Sequence, residues 1–400
     1  MTGARIKQAR LMADLTQKEL AEQLTKNGYP VSAAAISKYE KGKSFPPAQF
    51  LLLASSELNV RSTYFSHQPV KTVKWKSFRR HSTLAKKKQD AIKGHAADIA
   101  ELHIELHSLL YPEKSPEFPG PVTVKNCEDA ERVASNLRER WNLGNRPLDN
   151  LVQTSEDRGV VVISWNKSGK FDGLSGWCGD HPVTVLNTKR TKDRIRFSLA
   201  HEIGHLVMNT ADLDEKSEES LANRFASAFL VPSDHARREL GNKRDRLDWG
   251  ELMMLKRKYG LSMAAWVRRA KDLGIISENQ YTLMFKDLGI RGWRKQEPIE
   301  YLGDEEPLQL KQMSLRAVAE GLTSPDRISS VCPRCLDDAV EEQNSEHLTV
   351  QDLLAMSEDE RNLIMKRAFA LAAEDEFETF EADEFYEFED LEVDESEDLY

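Results

Sequence analysis

Cysteine is scarce. Four in 400 residues are too few for a disulfide framework, and a reducing compartment is the simplest reading. Long apolar runs are missing as well. The longest, such as FLLLA from Phe50, fall far short of the ~20 residues that cross a bilayer, so no membrane is expected as a partner. The opening MTGARIKQARL lacks the apolar stretch of a secretory signal, so none is expected and the location expected is cytoplasmic. Basic residues are absent from 374–400, which holds 15 Asp and Glu. Like charges at that density repel, and a disordered acidic tail is expected there.

The charge that remains is unevenly placed. Residues 1–100 carry 18 Lys and Arg against 7 Asp and Glu, a net of +11 within a chain of net −10. The front therefore suits an anionic partner. Apolar residues make up 40% and charged residues 30%, the balance of a globular protein with some unfolded segments, and 400 residues suffice for two or three domains.

The front also has the pattern of a DNA reader. In ARIKQARLMAD, residues 4–14, Ile6, Ala9, Arg10 and Ala13 recur at helical spacing. Thr16 and Glu19 then form a capping box that opens a second helix. Asn27, Gly28 and Pro30 break it, and Ser32 caps a third helix, AAAISKYEKG, that closes at Gly42. A fourth, AQFLLLASSEL, follows Pro46-Pro47. Two short helices about a tight break put the second in the major groove. In TQKELAEQL and VSAAAISKYEKG the chain resembles the XRE family of repressor-like domains, over roughly residues 3–67. The resemblance implies that Gln17 braces a phosphate and that Ser32, Ala33, Ala34, Ser37, Lys38 and Lys43 lie on the DNA face. Alanines touch a thymine methyl but cannot hydrogen-bond a base edge, so shape and dimer spacing would carry specificity.

KTVKWKSFRRHSTLAKKKQ follows, with Lys71, Lys74, Lys76, Arg79, Arg80 and Lys86 to Lys88 interleaved with Trp75 and Phe78. It reads equally as a backbone-contacting arm or a helix-rich linker. DAIKGHAADIAELHIELHSLLY is one helix, its His103 and His107 packed or solvent-facing. After FPGPVTVKN come the helices CEDAERVASNLRERWNL and LDNLVQTSEDRG, then VVVISW and HPVTVLN as strands.

RFSLAHEIGHLVM, residues 196–208, stands at mid-chain. His201 and His205, four apart on a helix, can hold one metal ion, and Glu202 can reach a water on it as general base. A third ligand must leave the fourth position open. In EESLANRFASAFLVP, Glu219, Ala222, Asn223 and Ala226 share one helix face, and the small alanines let Glu219 approach the histidines. Glu215 and Glu218 are its rivals. Together with GLSGW and EESLANRFASAFLVPS, this motif resembles the ImmA/IrrE family of zinc metallopeptidases over about residues 125–300. The resemblance implies a thermolysin-like core, zinc on His201, His205 and Glu219, and cleavage of helix-turn-helix repressors to induce stress or mobile-element genes. Arg196, Asn223 and Arg224 are open candidates for stabilising the transition state.

LMMLKRKYGLSMAAWVRRAKDLG reads as helix, turn, helix, either a scaffold on the peptidase or a second nucleic-acid module. CPRC at 332–335 reads as a free-thiol loop or half a zinc site, with His347 as an outer partner. The fold expected is α+β. It comprises an all-α head at 1–68, a basic helical linker at 69–118, a zincin-like core with a small sheet at 119–240, a helical scaffold at 241–330, a CxxC-containing helical segment at 331–373 and the tail at 374–400. The partners expected are DNA and a protein substrate, the chain itself included, with a homodimer allowed; Zn2+ is the expected cofactor. The rival readings are a non-catalytic transcription factor and an antitoxin-like regulator that only senses or binds a partner.

Overall fold

A computed structural model describes residues 2–58, 60, 62–66, 73–76, 86–113, 117–166 and 171–336. The acidic tail, His347 and, from the basic stretch, Lys71, Phe78, Arg79 and Arg80 lie outside the described residues.

The head is built as its caps dictate: α1 (Thr2–Met12), α2 (Gln17–Lys26), α3 (Ala33–Glu40) and α4 (Ala48–Glu57). The Thr16 hydroxyl accepts from the Glu19 amide at 3.1 Å, and the Glu19 carboxylate accepts from the Thr16 amide at 2.6 Å. Such a box satisfies two otherwise orphaned amides. Ser32 caps α3. Ile6, Ala9, Leu20, Leu24, Ile36, Phe50 and Ala54 close the small core, joined by Tyr64 and Phe65 of a 3-10 turn, Ser62–Ser66.

The next segment departs from the expected helical linker. Val73–Trp75 form a strand, β1, and α5 (Lys86–Leu110) follows. The alternation Val73-Lys74-Trp75-Lys76 is too short to announce a strand by itself; its partner lies a hundred residues away. α5 is amphipathic and packs on α1 through a buried polar cluster. Arg5 pairs with Asp98 at 3.2 Å and Glu101 at 2.5 Å, and the Tyr64 hydroxyl donates to Asp98. Burial of Asp98 raises its carboxyl to about 7, against the pull of Tyr64 and Arg5. His103 is packed, its Nε2 2.9 Å from Gln309 Oε1.

The body follows as β2 (Val122–Thr123), α6 (Cys127–Arg140), α7 (Leu151–Asp157), β3 (Val161–Trp165), β4 (Gly173–Cys178), β5 (His181–Asn187), α8 (Lys192–Val207), β6 (Met208–Asn209) and α9 (Glu215–Leu230). β4 emerges from the stretch expected to connect two strands. Its glycines weaken strand propensity, and pairing with β5 along all six residues supplies what propensity does not. The sheet order is β1-β4-β5-β3, with β3 and β5 parallel and the other pairs antiparallel. β2 and β6 form a small parallel pair. α8 packs against the sheet on one side and α9 on the other. Gly204 makes that second contact close: a Cβ there would stand 2.9 Å from the Phe225 ring.

Six helices follow among the described residues: α10 (Ser233–Leu240), α11 (Trp249–Tyr259), α12 (Met263–Asp272), α13 (Glu278–Ile290), α14 (Gln309–Ala319) and α15 (Pro325–Ser329). α11 and α12 pack against the body. Lys256 is buried between Asp193 and Glu297, Arg269 lies against Glu131, and Lys258 pairs with Glu239. Leu252, Leu255, Tyr259, Trp266 and Val267 join the same core as α6, α8 and α9. CPRC is neither a free-thiol loop nor half a metal site, because Cys332 and Cys335 are joined by a disulfide across a 3-10 turn. Two thiols three residues apart on such a turn meet without help from the rest of the fold.

Candidate metal centre and nucleic-acid interface

α8 carries His201, Glu202 and His205, and α9 runs beside it with Glu219 facing the gap. Four-residue spacing brings the two imidazoles to one face. Their Nε2 atoms lie 3.0 Å apart. Glu219 closes the triangle, with Oε2 3.4 Å from His201 Nε2 and Oε1 3.4 Å from His205 Nε2. One ligand atom from each residue lies within 4.8 Å of the others. Two nitrogens and a carboxylate oxygen at that closeness are a donor set of the kind that binds zinc, with a fourth position left for water or substrate.

The far sides of the rings are held as well. His201 Nδ1 donates to Asn223 Oδ1 at 2.9 Å, and His205 Nδ1 donates to Glu218 Oε1 at 3.3 Å. An acceptor on each Nδ1 places the proton there and leaves the Nε2 lone pair for an ion. Glu218, a rival third ligand in the sequence, thus backs His205, while the other rival, Glu215, lies one turn before Glu219 at the start of α9. Burial lowers the basicity of His205, but hydrogen bonds to Glu218 and Glu219 and the charge of Glu202 more than offset it, raising the ring to about 9. The field that favours a protonated ring is the field that favours a cation.

Glu202 is buried where α8 crosses β4. Gly173 makes room for it: a Cβ at that position would stand 2.8 Å from Glu202 Oε1. The GLSGW motif begins at Gly173, but its role beside Glu202 is decided by the pairing of β4 and the crossing of α8.

The three open candidates for transition-state stabilisation are committed elsewhere. Arg196 is fully buried and donates to Glu305 and to the Leu148 carbonyl. Arg224 pairs with Glu131 at 2.6 Å and Asp272 at 3.3 Å. Asn223 orients His201. Lys76, in sequence one cation of a basic arm or linker, here donates its Nζ to the carbonyls of His205 and Met208 at the end of α8.

On the head, Ser32, Ala34, Lys38 and Lys43 are exposed, and Ala33 and Ser37 half-buried, on and just beyond α3. Gln17 is placed differently from a free phosphate brace. Its Nε2 donates to Glu40 Oε2 at 2.6 Å, and Glu40 pairs with Arg10. Lys87 of the basic stretch pairs with Glu19 at 3.0 Å, beside the α2 cap. Phe45, between α3 and α4, is 91% exposed next to Lys43.

Residues 6–65 match the family model for the helix-turn-helix, and residues 156–271 match that for the IrrE N-terminal-like domain of the M78 peptidases. No curated protein matches the chain significantly. The first match supports DNA binding, and the second an enzyme of the peptidase type. No described helix is long and apolar enough to cross a membrane.

Proposed function

Because the chain joins a helix-turn-helix domain at residues 6–65 to an IrrE-like peptidase domain at residues 156–271, we propose that it is a DNA-binding regulator whose effector is a zinc endopeptidase. His201, His205 and Glu219 would hold the zinc, and Glu202 would be the general base. The observation that carries the reading is the convergence of these three ligand atoms within 4.8 Å, with Asn223 and Glu218 behind the imidazoles.

A zinc ion held by these three residues would supply Lewis acidity and lower the pKa of a bound water to about 7. Glu202 takes a proton from the water that attacks the peptide carbonyl and passes it to the leaving amine. Its burial against Gly173 limits the positions its carboxylate can take. Asn223 and Glu218 keep both imidazoles in the tautomer that binds metal.

A DNA-bound head delivers this site to other proteins on the same operator. The substrate we favour is therefore a helix-turn-helix repressor, or the chain itself, with induction of stress or mobile-element genes as the outcome. Ser32, Ala33, Ala34, Ser37, Lys38 and Lys43 would meet the DNA, with Gln17 supporting them through Glu40. The division into head, linker, core, scaffold, CxxC segment and tail goes with this reading, with β1 of the linker counted in the core sheet, and so does a homodimer on a two-fold operator.

The test is to incubate zinc-loaded protein with XRE-type repressors from the same genome and read intact mass. Wild type should cut at least one. His201→Ala and Glu219→Ala should lose both zinc and cleavage, and Glu202→Gln should keep zinc and lose cleavage. Full zinc retention in Glu219→Ala would move the third ligand elsewhere.

A further inference from the structure

β4 has two edges. One pairs with β5, and on the other lies β1, an excursion of the chain between the head and α5. The pairing is antiparallel, with Val73 opposite Cys178, Lys74 opposite Trp177 and Trp75 opposite Gly176. It extends one residue further, where the Lys76 amide donates to the Ser175 carbonyl at 2.9 Å. β1 therefore runs toward Gly173, the residue against which Glu202 lies.

A three-residue strand is too short to hold an edge by propensity alone. Three separate features hold this one. Val73 is buried. Gly176 permits the close approach, since a Cβ there would stand 2.7 Å from the Lys74 carbonyl oxygen and 2.9 Å from the Trp75 Cα. Lys76 reaches the carbonyls of His205 and Met208 at the C-terminal end of the helix that carries the candidate zinc ligands. A helix C-terminus attracts a cation. One extended segment, Val-Lys-Trp-Lys, is thus recognised by main chain, by an apolar contact and by a cation site, all beside the candidate catalytic helix.

An extended peptide that adds to a sheet edge draws affinity from main-chain hydrogen bonds and specificity from alternate side chains. We propose that residues 73–76 are an autoinhibitory strand, occupying in cis the β4 edge that an extended peptide substrate would otherwise join. The inference rests on the peptidase reading of the site. While β1 is paired, another strand cannot take the edge. The substrates favoured are extended segments with a small apolar residue three positions before a lysine or arginine. The segment that fills the edge also joins the head to α5, so engagement of the head and entry of a peptide act on the same stretch of chain.

The test uses the full chain carrying Glu202→Gln, so that nothing is cut, and a fluorescent peptide of residues 71–80 as probe. Val73 and Cys178 form a non-hydrogen-bonded pair, for which Cα atoms lie about 4.5 Å apart, within the range of a disulfide. Val73→Cys should therefore cross-link to Cys178 under oxidant and fix β1 on its edge. Lys74→Pro removes the amide that faces Trp177 and should release β1. Peptide affinity measured by anisotropy should rise at least tenfold in Lys74→Pro. It should fall below detection in oxidised Val73→Cys and return to the parent value on reduction, with the similarly treated parent unchanged. The reduced form of Val73→Cys keeps a near-native strand, so the comparison survives if Lys74→Pro fails to fold. Equal affinity in the oxidised and reduced forms would overturn cis occupancy. Tighter peptide binding with no hydrolysis by the corresponding proteins that retain Glu202 would defeat the peptidase reading and leave the docking edge standing. Hydrolysis with unchanged peptide binding would do the reverse.

Discussion

Asn223 lies one turn beyond Glu219 on α9, and its Oδ1 accepts from His201 Nδ1 at 2.9 Å. One helix therefore offers a ligand to the candidate centre and, one turn later, the group that orients a ligand of its neighbour. Removing that acceptor frees the ring to rotate and to change tautomer. Asn223→Ala should weaken zinc binding about 10- to 100-fold, the usual cost of an outer-shell partner. Competition with a chelator of known affinity measures it. Unchanged affinity would mean that packing alone orients His201.

Gly173 makes a second prediction. Its missing side chain gives Glu202 its place, so Gly173→Ala should push the carboxylate aside without touching any zinc ligand. Zinc content should stay at one per chain. Cleavage of a repressor identified as a substrate should fall on the order of 100-fold, as for other displacements of about 1 Å at a reacting group. Single-turnover rates separate that loss from weaker binding.

DNA binding by the head should be strongly salt dependent, because neutralised phosphates release counterions. Lys38 and Lys43 are exposed at and after α3. Replacing either by alanine should reduce the slope of log affinity against log salt by about 1 and weaken all sequences alike. Gln17→Ala should act differently. Its amide is bonded to Glu40, so the variant should lower the melting temperature of the head and leave the salt slope nearly intact. Titrations of one DNA duplex at several salt concentrations distinguish the two behaviours.

Glu156 makes stability depend on pH. Burial raises its carboxyl from 4.5 to about 8, against the pull of the Gln309 and Leu308 amides. The folded chain then holds a proton that the unfolded chain has released between these values. Stability should therefore fall as pH rises from about 4.5 to about 8, and level off above. Glu156→Gln keeps an acceptor for both amides and cannot ionise, so its melting temperature should decline less over that window. Parallel slopes for the two proteins would assign the dependence to other groups.

Much of this was legible without a structure, because the relevant interactions are local. Thr16 with Glu19 and Ser32 with Ala35 are contacts within one turn, and they mark where α2 and α3 begin. His201 and His205 are four apart on a helix, and helical geometry alone puts them together. Glu219 followed from the small residues one turn on, which need only a helix and a close neighbour. What only the tertiary structure decided involves residues that no local period relates. β1 is a strand because β4 offers it an edge a hundred residues away, and β4 is a strand because β5 pairs with it despite its glycines. Arg196 stands beside the His201–His205 motif in sequence, yet burial of Glu305 turns it into a core ion pair. Gln17 turns to Glu40 because Arg10 has already brought that carboxylate beside it. Short-range periodicity and capping are set by the chain's own geometry, whereas which edge, cavity or countercharge a residue meets is set by which distant segments pack together.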